Sequence, residues 1–346
     1  MERRIPPRFH MLHTRICDLF KIDLPILSAG MGAVAHARLA AAVSEAGGLG
    51  TIALAGFTLE AIAAEIALAR SLTDRPIAVN LLIPFMRPGS LEVIVRDRVE
   101  AVTFFWGDPA EHIPAAKKLG LTVIWQCGSA DEAARAKAAG ADAIIAQGFE
   151  AGGHVRGTVT TLALVPEVRD AIGDLPMLAA GGLADGRGLA AALALGADGA
   201  VFGTRFIAAN ECAAHPDYKR RVVAAHAAET LHTKLYDVGW PDAAHRALRT
   251  PLVEAWERAG RPESGRRPGE GLSTAKLIRP GLELPLANYS VSPPSQEMEG
   301  DLGGLAWYAG QSVTQVREVL PAGEIVRRIA DEAHAVIATR LAPLLD

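Results

Sequence analysis

The chain has 346 residues, 50% of them hydrophobic and 21% charged, with a formal net charge of -4 at pH 7. That length exceeds the usual single-core limit, so one large domain with an insertion is expected, and the missing positive excess argues against nucleic acid as a partner. No run of about 18 apolar residues is present to cross a membrane or to follow the basic start MERRIPPRFHMLHTR, and the isolated Cys17, Cys127 and Cys212 suit a reducing cytoplasm.

From Pro25 onward short apolar runs alternate with alanine-rich segments of helical period. The spacing predicts strands at 25–30, 49–54, 77–83, 99–106, 121–127, 141–147, 176–182 and 199–204. Between the first two, HARLAAAVSEAG puts Leu39, Ala42, Val43 and Ala46 on one helical face, and Gly47 ends it. A repeated βα unit of this kind closes most simply into a TIM (β/α)8 barrel, since closure removes both sheet edges. The rhythm breaks after Phe206. The expected organisation is therefore a barrel over 1–208, an inserted, mainly helical cap over 209–310, and a segment over 311–346 whose Ile325, Ile329, Val336, Ile337 and Leu341 form the stripe of the closing helix.

In such a barrel the chemistry sits at the C-terminal strand ends. Asn80, Gln126 and Gln147 end three predicted strands with neutral amides, each able to donate and accept, which suits the edge of a flat heterocycle such as an isoalloxazine or a pyrimidine. Glycine marks the last two endings, AAGGLADGRG and FGTRF. Loops after strands seven and eight commonly bind phosphate, so Gly181, Gly182, Gly203 and Thr204 are the candidate cradle. The stretch GMGAVA at 30–35 matches a dinucleotide fingerprint, but the second strand ends without the acid that would hold a ribose. Its glycines more simply let Ala29, Gly30 and Met31 approach a ligand closely.

The loop QGFEAGGHVRG leaves the sixth predicted strand at the same face. His154 in it is the candidate for proton transfer or, when protonated, for holding an anion; taken alone it reads as an ordinary surface-loop histidine. Glu150 stands near enough in sequence to orient it or to be a solvated loop acid. The remaining histidines lack metal-ligand spacing, so no metal is expected. Trp240, Trp307 and Tyr308 in the inserted segment are candidate pocket walls.

These motifs resemble the nitronate monooxygenases, the 2-nitropropane dioxygenase-like flavoproteins. The resemblance runs through PILSAGMGAVAHARLAAAVSEAGGLGTI, IAVNLL, QGFEAGGHVRG, MLAAGGLADGRGLAAALALGADGAVFGTRF and YAGQSV, and is weakest over 225–300. It implies a non-covalent FMN contacted by Ala29, Gly30, Met31, Asn80, Gln126, Gly181, Gly182, Gly203 and Thr204. Gly148 and Gly153, framing the loop, complete the candidate contacts, and His154 becomes the catalytic histidine. The implied reaction oxidises alkyl nitronates or nitroalkanes with O2 to a carbonyl compound and nitrite. Where members carry lysine near the end of strand five, this chain has Gln126. Related barrels act as enoyl-thioester or NAD(P)H:quinone reductases, and a non-catalytic FMN or phosphate-ligand binding protein is the alternative from another class. The expected partners are small molecules, with a homodimer compatible with the sequence.

Overall fold

Eight of the apolar runs form strands in the computed structural model, which describes residues 12–345 apart from Pro280. Residues 1–11, which hold most of the basic start read above, and Asp346, both assigned above to the ends of the barrel segments, lie outside the described residues. The strands are β1 (Ile26–Ser28), β2 (Gly50–Ala53), β3 (Ile77–Leu82), β4 (Ala101–Phe105), β5 (Thr122–Cys127), β6 (Ala143–Gln147), β7 (Met177–Ala180) and β8 (Gly199–Phe202). Each pairs in parallel with the next, β8 returns to β1 with Ala200 opposite Ile26, and a Leu27–Leu49 bridge joins β1 to the start of β2. The result is a TIM barrel.

Strand alternation decides which side chains go where. Ala78, Ala101, Ile124, Ala143, Leu178 and Val201 point inward and share a cluster, whereas Ile77, Val79, Val102, Phe104 and Trp125 face the helices. Aliphatic side chains fill the interior, and the rings of Phe104 and Trp125 lie on the outer face that the helices cover. The helix Ala37–Glu45 buries Leu39 and Val43, as its periodicity predicts. The helix Arg15–Phe20 contributes Ile16, Cys17 and Phe20 to the inner cluster at the N-terminal end. There Asp198 accepts hydrogen bonds from Arg15 Nε at 2.8 Å, Arg169 Nη2 at 2.8 Å and Met177 N at 2.9 Å.

The helix Ala322–Val336 packs against both Ala37–Glu45 and Gly186–Ala194 through Ile325, Val326, Ile329 and Ala333. It fills the eighth helical position. The regular helix stops at Val336, so Leu341 of the expected stripe is exposed rather than packed.

The segment 209–310 is richer in strand than the expected mainly helical composition. Beside the helices Pro216–Ala224 and Pro251–Arg258 it contains strands at Thr230–Thr233, His245–Leu248, Ser273–Arg279, Leu282–Ala287 and Met298–Gly300. The alternation in STAKLIR and LELPLA carries the hairpin signal, and both runs are too short for helices that could stand alone. Leu235, Tyr236, Ala247, Val253, Tyr289 and Ala306 give this segment its own small core. Among the described residues no helix is long and apolar enough to cross a membrane.

Asp198 gathers two guanidinium groups at the barrel base while almost buried, so its removal leaves them without a counter-charge. Asp198→Ala is expected to cost about 3 kcal/mol of unfolding free energy, read from chemical denaturation. A loss within a few tenths of wild type would show that the cluster is not a structural anchor.

Candidate active site

At the opposite end of the barrel a cavity of about 360 Å³ opens between the strand ends and the segment 209–310. The loop after β1 brings Ala29, Gly30 and Met31 to its wall, and β3, β5 and β6 bring Asn80, Gln126 and Gln147. Gly181, Gly182, Gly203 and Thr204 line it from the loops after β7 and β8. Gly181 and Gly182 have φ of 94° and 72°, a left-handed backbone that side-chain-bearing residues adopt reluctantly, so this part of the wall is bare main chain. At Gly30 the reason for glycine is proximity: a Cβ there would lie 2.2 Å from Asn80 Cβ. Gly148 does not reach the cavity. It packs behind the wall, where a Cβ would meet Thr161 Oγ1 at 2.0 Å, so it supports the Gly181 turn instead of touching a ligand.

His154 reaches the cavity because its loop becomes a strand. Gly153 and His154 pair antiparallel with Arg246 and His245, Val155 N donates to Ala244 O at 2.9 Å, and Gln147 Nε2 donates to His154 O at 3.1 Å. The imidazole lies 4.2 Å from the Trp240 ring at 32°, with Trp106, His245 and Tyr308 at 6.0, 5.4 and 5.5 Å. Its Nε2 is buried without a hydrogen-bond partner, as is Gln147 Oε1. Glu150 neither orients His154 nor stands in solvent. Its Oε2 accepts from Thr161 N at 2.8 Å and Thr161 Oγ1 at 2.9 Å, anchoring the loop to the next helix.

Burial among rings, together with the neighbouring His245, pushes the His154 pKa down to about 3. The ring is therefore neutral at physiological pH, and the protonated form that could hold an anion is not its resting state. His245 is fully buried and pushed down to about 4, chiefly by desolvation. Its Nδ1 donates to Ala243 O at 2.8 Å and its Nε2 accepts from Tyr236 N at 3.4 Å, an arrangement only the neutral ring satisfies.

Trp240 and Tyr308 line the cavity, but Trp307 does not. The Trp307 Nε1 donates to Leu302 O at 2.8 Å and its ring meets Tyr218 edge-on, so it is packing between segments. Sequence reasoning missed Phe85, Phe105 and the Val291–Pro293 stretch, which complete an aromatic and apolar wall. It also missed Gly310 and Ser312, although both fall in YAGQSV; Gly310 N donates to Thr204 Oγ1 at 2.9 Å. Trp106 has φ 71°, a strained conformation for a side chain of that size, held by the rings of Phe105 and Trp240 and by Arg156 at 5.8 Å. No Lys, Arg, Asp or Glu lines the cavity among the described residues. A bare glycine turn at one end, three amides at the strand ends and flat aromatic walls are a donor set that fits a flavin.

A neutral buried histidine carries a pH signature. In the unfolded chain both rings titrate near the usual 6.5, so below that pH the unfolded state binds more protons and folding weakens as pH falls toward the depressed folded values. Unfolding free energy should drop below about pH 6.5 by up to about 1.4 kcal/mol per pH unit for each ring. His154→Phe should make that drop shallower. Identical pH dependence in wild type and variant would mean that His154 is not held neutral.

The comparisons agree with this geometry. The model of the family described as "Nitronate monooxygenase" matches residues 13–89 and 85–332. A Mycobacterium tuberculosis (3aS,4S,5R,7aS)-5-hydroxy-7a-methyl-1-oxo-octahydro-1H-indene-4-carboxyl-CoA dehydrogenase is 41% identical, covering 72% of this chain and 70% of its own. The nitronate monooxygenase of Pseudomonas aeruginosa is 32% identical, covering 92% of this chain and 98% of its own. The structure of FabK from Thermotoga maritima superposes with a TM-score of 0.75 at 33% identity, covering 94% of this chain and 97% of that one. The chain thus belongs to the nitronate monooxygenase family and is a flavin-dependent oxidoreductase.

Proposed function

We propose that the chain is an FMN-dependent oxidoreductase acting on an uncharged carbon acid, with His154 carrying the substrate proton. The carrying observation is a neutral imidazole, unpartnered at Nε2, held among aromatic rings beside a cavity without charged side chains. Gly181, Gly182, Gly203 and Thr204 would hold a phosphate, and Asn80, Gln126 and Gln147 the polar edge of the ring. A single phosphate cradle, with no acid at the end of β2 to hold a ribose, supports FMN over a dinucleotide. When bound, the flavin supplies a two-electron acceptor and donor.

His154 in its neutral form is the proton acceptor. Its affinity for the proton rises as negative charge develops beside it, because a nearby opposite charge favours the charged form. Trp240 and Tyr308 hold the imidazole by packing and, with Phe85 and Phe105, exclude water. The segment 209–310 shapes the substrate end and, on this reading, sets specificity.

Among uncharged carbon acids we favour an acyl thioester, oxidised or reduced next to its carbonyl. The carboxyl-CoA dehydrogenase relative has a higher identity than the Pseudomonas nitronate monooxygenase, and its name specifies a CoA thioester. The second reading is oxidation of a nitroalkane or its nitronate by O2, supported by the family model and by the near full-length match to the Pseudomonas enzyme. A preformed nitronate anion would meet no cation in the cavity wall, so within this reading the neutral nitroalkane is the better substrate. The buried free cysteines suit a reducing cytoplasm.

Purified protein should be yellow and release FMN on denaturation, and Gly182→Leu should fold but lose the flavin. Protein that is colourless and takes up no FMN would overturn the cofactor reading. Mixed anaerobically with wild type, acyl-CoA thioesters are expected to bleach the flavin, whereas nitroalkanes do so on the second reading. His154→Ala should slow bleaching by the neutral substrate about 100-fold to 10,000-fold with FMN retained. An undiminished rate would remove His154 from the chemistry.

A further inference from the structure

We propose that this chain keeps its flavin ring uncharged in both redox states, so that two-electron reduction draws in two protons rather than one. The inference rests on the flavin reading above and extends it to the electrical character of the cavity.

A two-electron reduction accompanied by one proton leaves the ring an anion, and a second proton makes it neutral. Which form a site holds depends on whether it offers a compensating charge. A buried charge without one is strongly disfavoured, and the group takes or sheds a proton instead. Three side chains present polar atoms at the strand ends, Asn80 from β3, Gln126 from β5 and Gln147 from β6, and all three are neutral amides. Gln126 occupies the inward position between the outward-facing Trp125 and Cys127, so it is the group β5 offers to a ligand.

Among the titratable groups facing the cavity, His154 and His245 behind it are neutral before reduction, and His154 is the group in the wall that could take the second proton in place of the ring. Tyr218 and Tyr308 donate their hydroxyls to Tyr308 O and Val291 O, and burial pushes both pKa values up. The charges around the cavity are engaged elsewhere. Glu150 behind Gly182 accepts from Thr161, Arg246 donates to Phe149 O at 3.0 Å, and Lys219 donates to Ala209 O at 2.7 Å. Arg205 donates to Glu318 O at 2.9 Å, and Arg156 pairs with Glu132 at 3.3 Å beyond Trp106. None of these residues lines the cavity.

The test is a proton count on the FMN-loaded wild-type protein and on His154→Phe, which removes the imidazole that could take the second proton in place of the ring. Both are reduced electrochemically without oxygen and followed by their visible spectra, with free FMN measured alongside; two protons in wild type and one in His154→Phe would overturn the proposal. At a fixed electrode potential the reduced-to-oxidised ratio should change about 100-fold per pH unit across roughly pH 7.5 to 9, the signature of two protons taken up. Gln126→Lys, which sets an ammonium at the ring edge, should bring this to about 10-fold per unit, the signature of one. A wild-type dependence of about 10-fold would overturn the proposal while leaving the flavin reading intact. Protein that binds no FMN would overturn both. If Gln126→Lys fails to retain flavin, the wild-type and His154→Phe proton counts decide; if it retains flavin and still takes up two protons, the missing cation is not what keeps the ring uncharged and the proposal falls.

Discussion

Two backbone pairings, Gly153 with Arg246 and His154 with His245, hold the loop after β6 against the segment 209–310. A ladder this short is marginal alone, and it persists because His245–Leu248 is already paired with Thr230–Thr233 and rests on a buried core. The connection between those two strands carries Trp240, the ring that stacks on His154. One small sheet therefore fixes both the imidazole and the surface against which it lies. Arg246, on the opposite strand face from His245, donates to Phe149 O and holds the loop from behind.

The molecule keeps its charges apart from its cavity. At the N-terminal end of the barrel Asp198 meets Arg15 and Arg169, and in the inserted segment buried Arg267 is shared by Asp237 and Glu270 with Tyr289 beneath it. Ion pairs serve architecture in these places. At the opposite end of the barrel no Lys, Arg, Asp or Glu lines the cavity among the described residues, and a charge placed there would be felt strongly in its low-dielectric setting.

The barrel was legible because its strands are runs of Val, Ile, Leu and Ala at regular spacing, and the glycine turns after β7 and β8 mark their positions by composition. What stayed hidden depends on partners distant in sequence. His245 and Arg246 look ordinary until a strand about ninety residues earlier comes beside them. Glu150 reads as a loop acid until Thr161 is seen to donate to it. Trp307 and Tyr308 are adjacent, yet one faces the cavity and the other packs away, a distinction set by where the chain turns and not by residue type. In the inserted segment the glycine- and proline-rich stretches RPESGRRPGEG and NYSVSPPSQEMEGD suggested loops around helices and outweighed the alternation of STAKLIR and LELPLA between them.

The helix Ala322–Val336 fills the gap between the helices that follow β1 and β7, so the first and last parts of the chain share one layer. A ribosome delivers these parts at opposite ends of synthesis. All eight strands emerge before the helix that covers the final seam, and the long segment 209–310 is made in between. During that interval the side of the helices after β1 and β7 that Ile325, Val326, Ile329 and Ala333 will cover stays open, and exposed apolar surface of this kind favours association of incomplete chains.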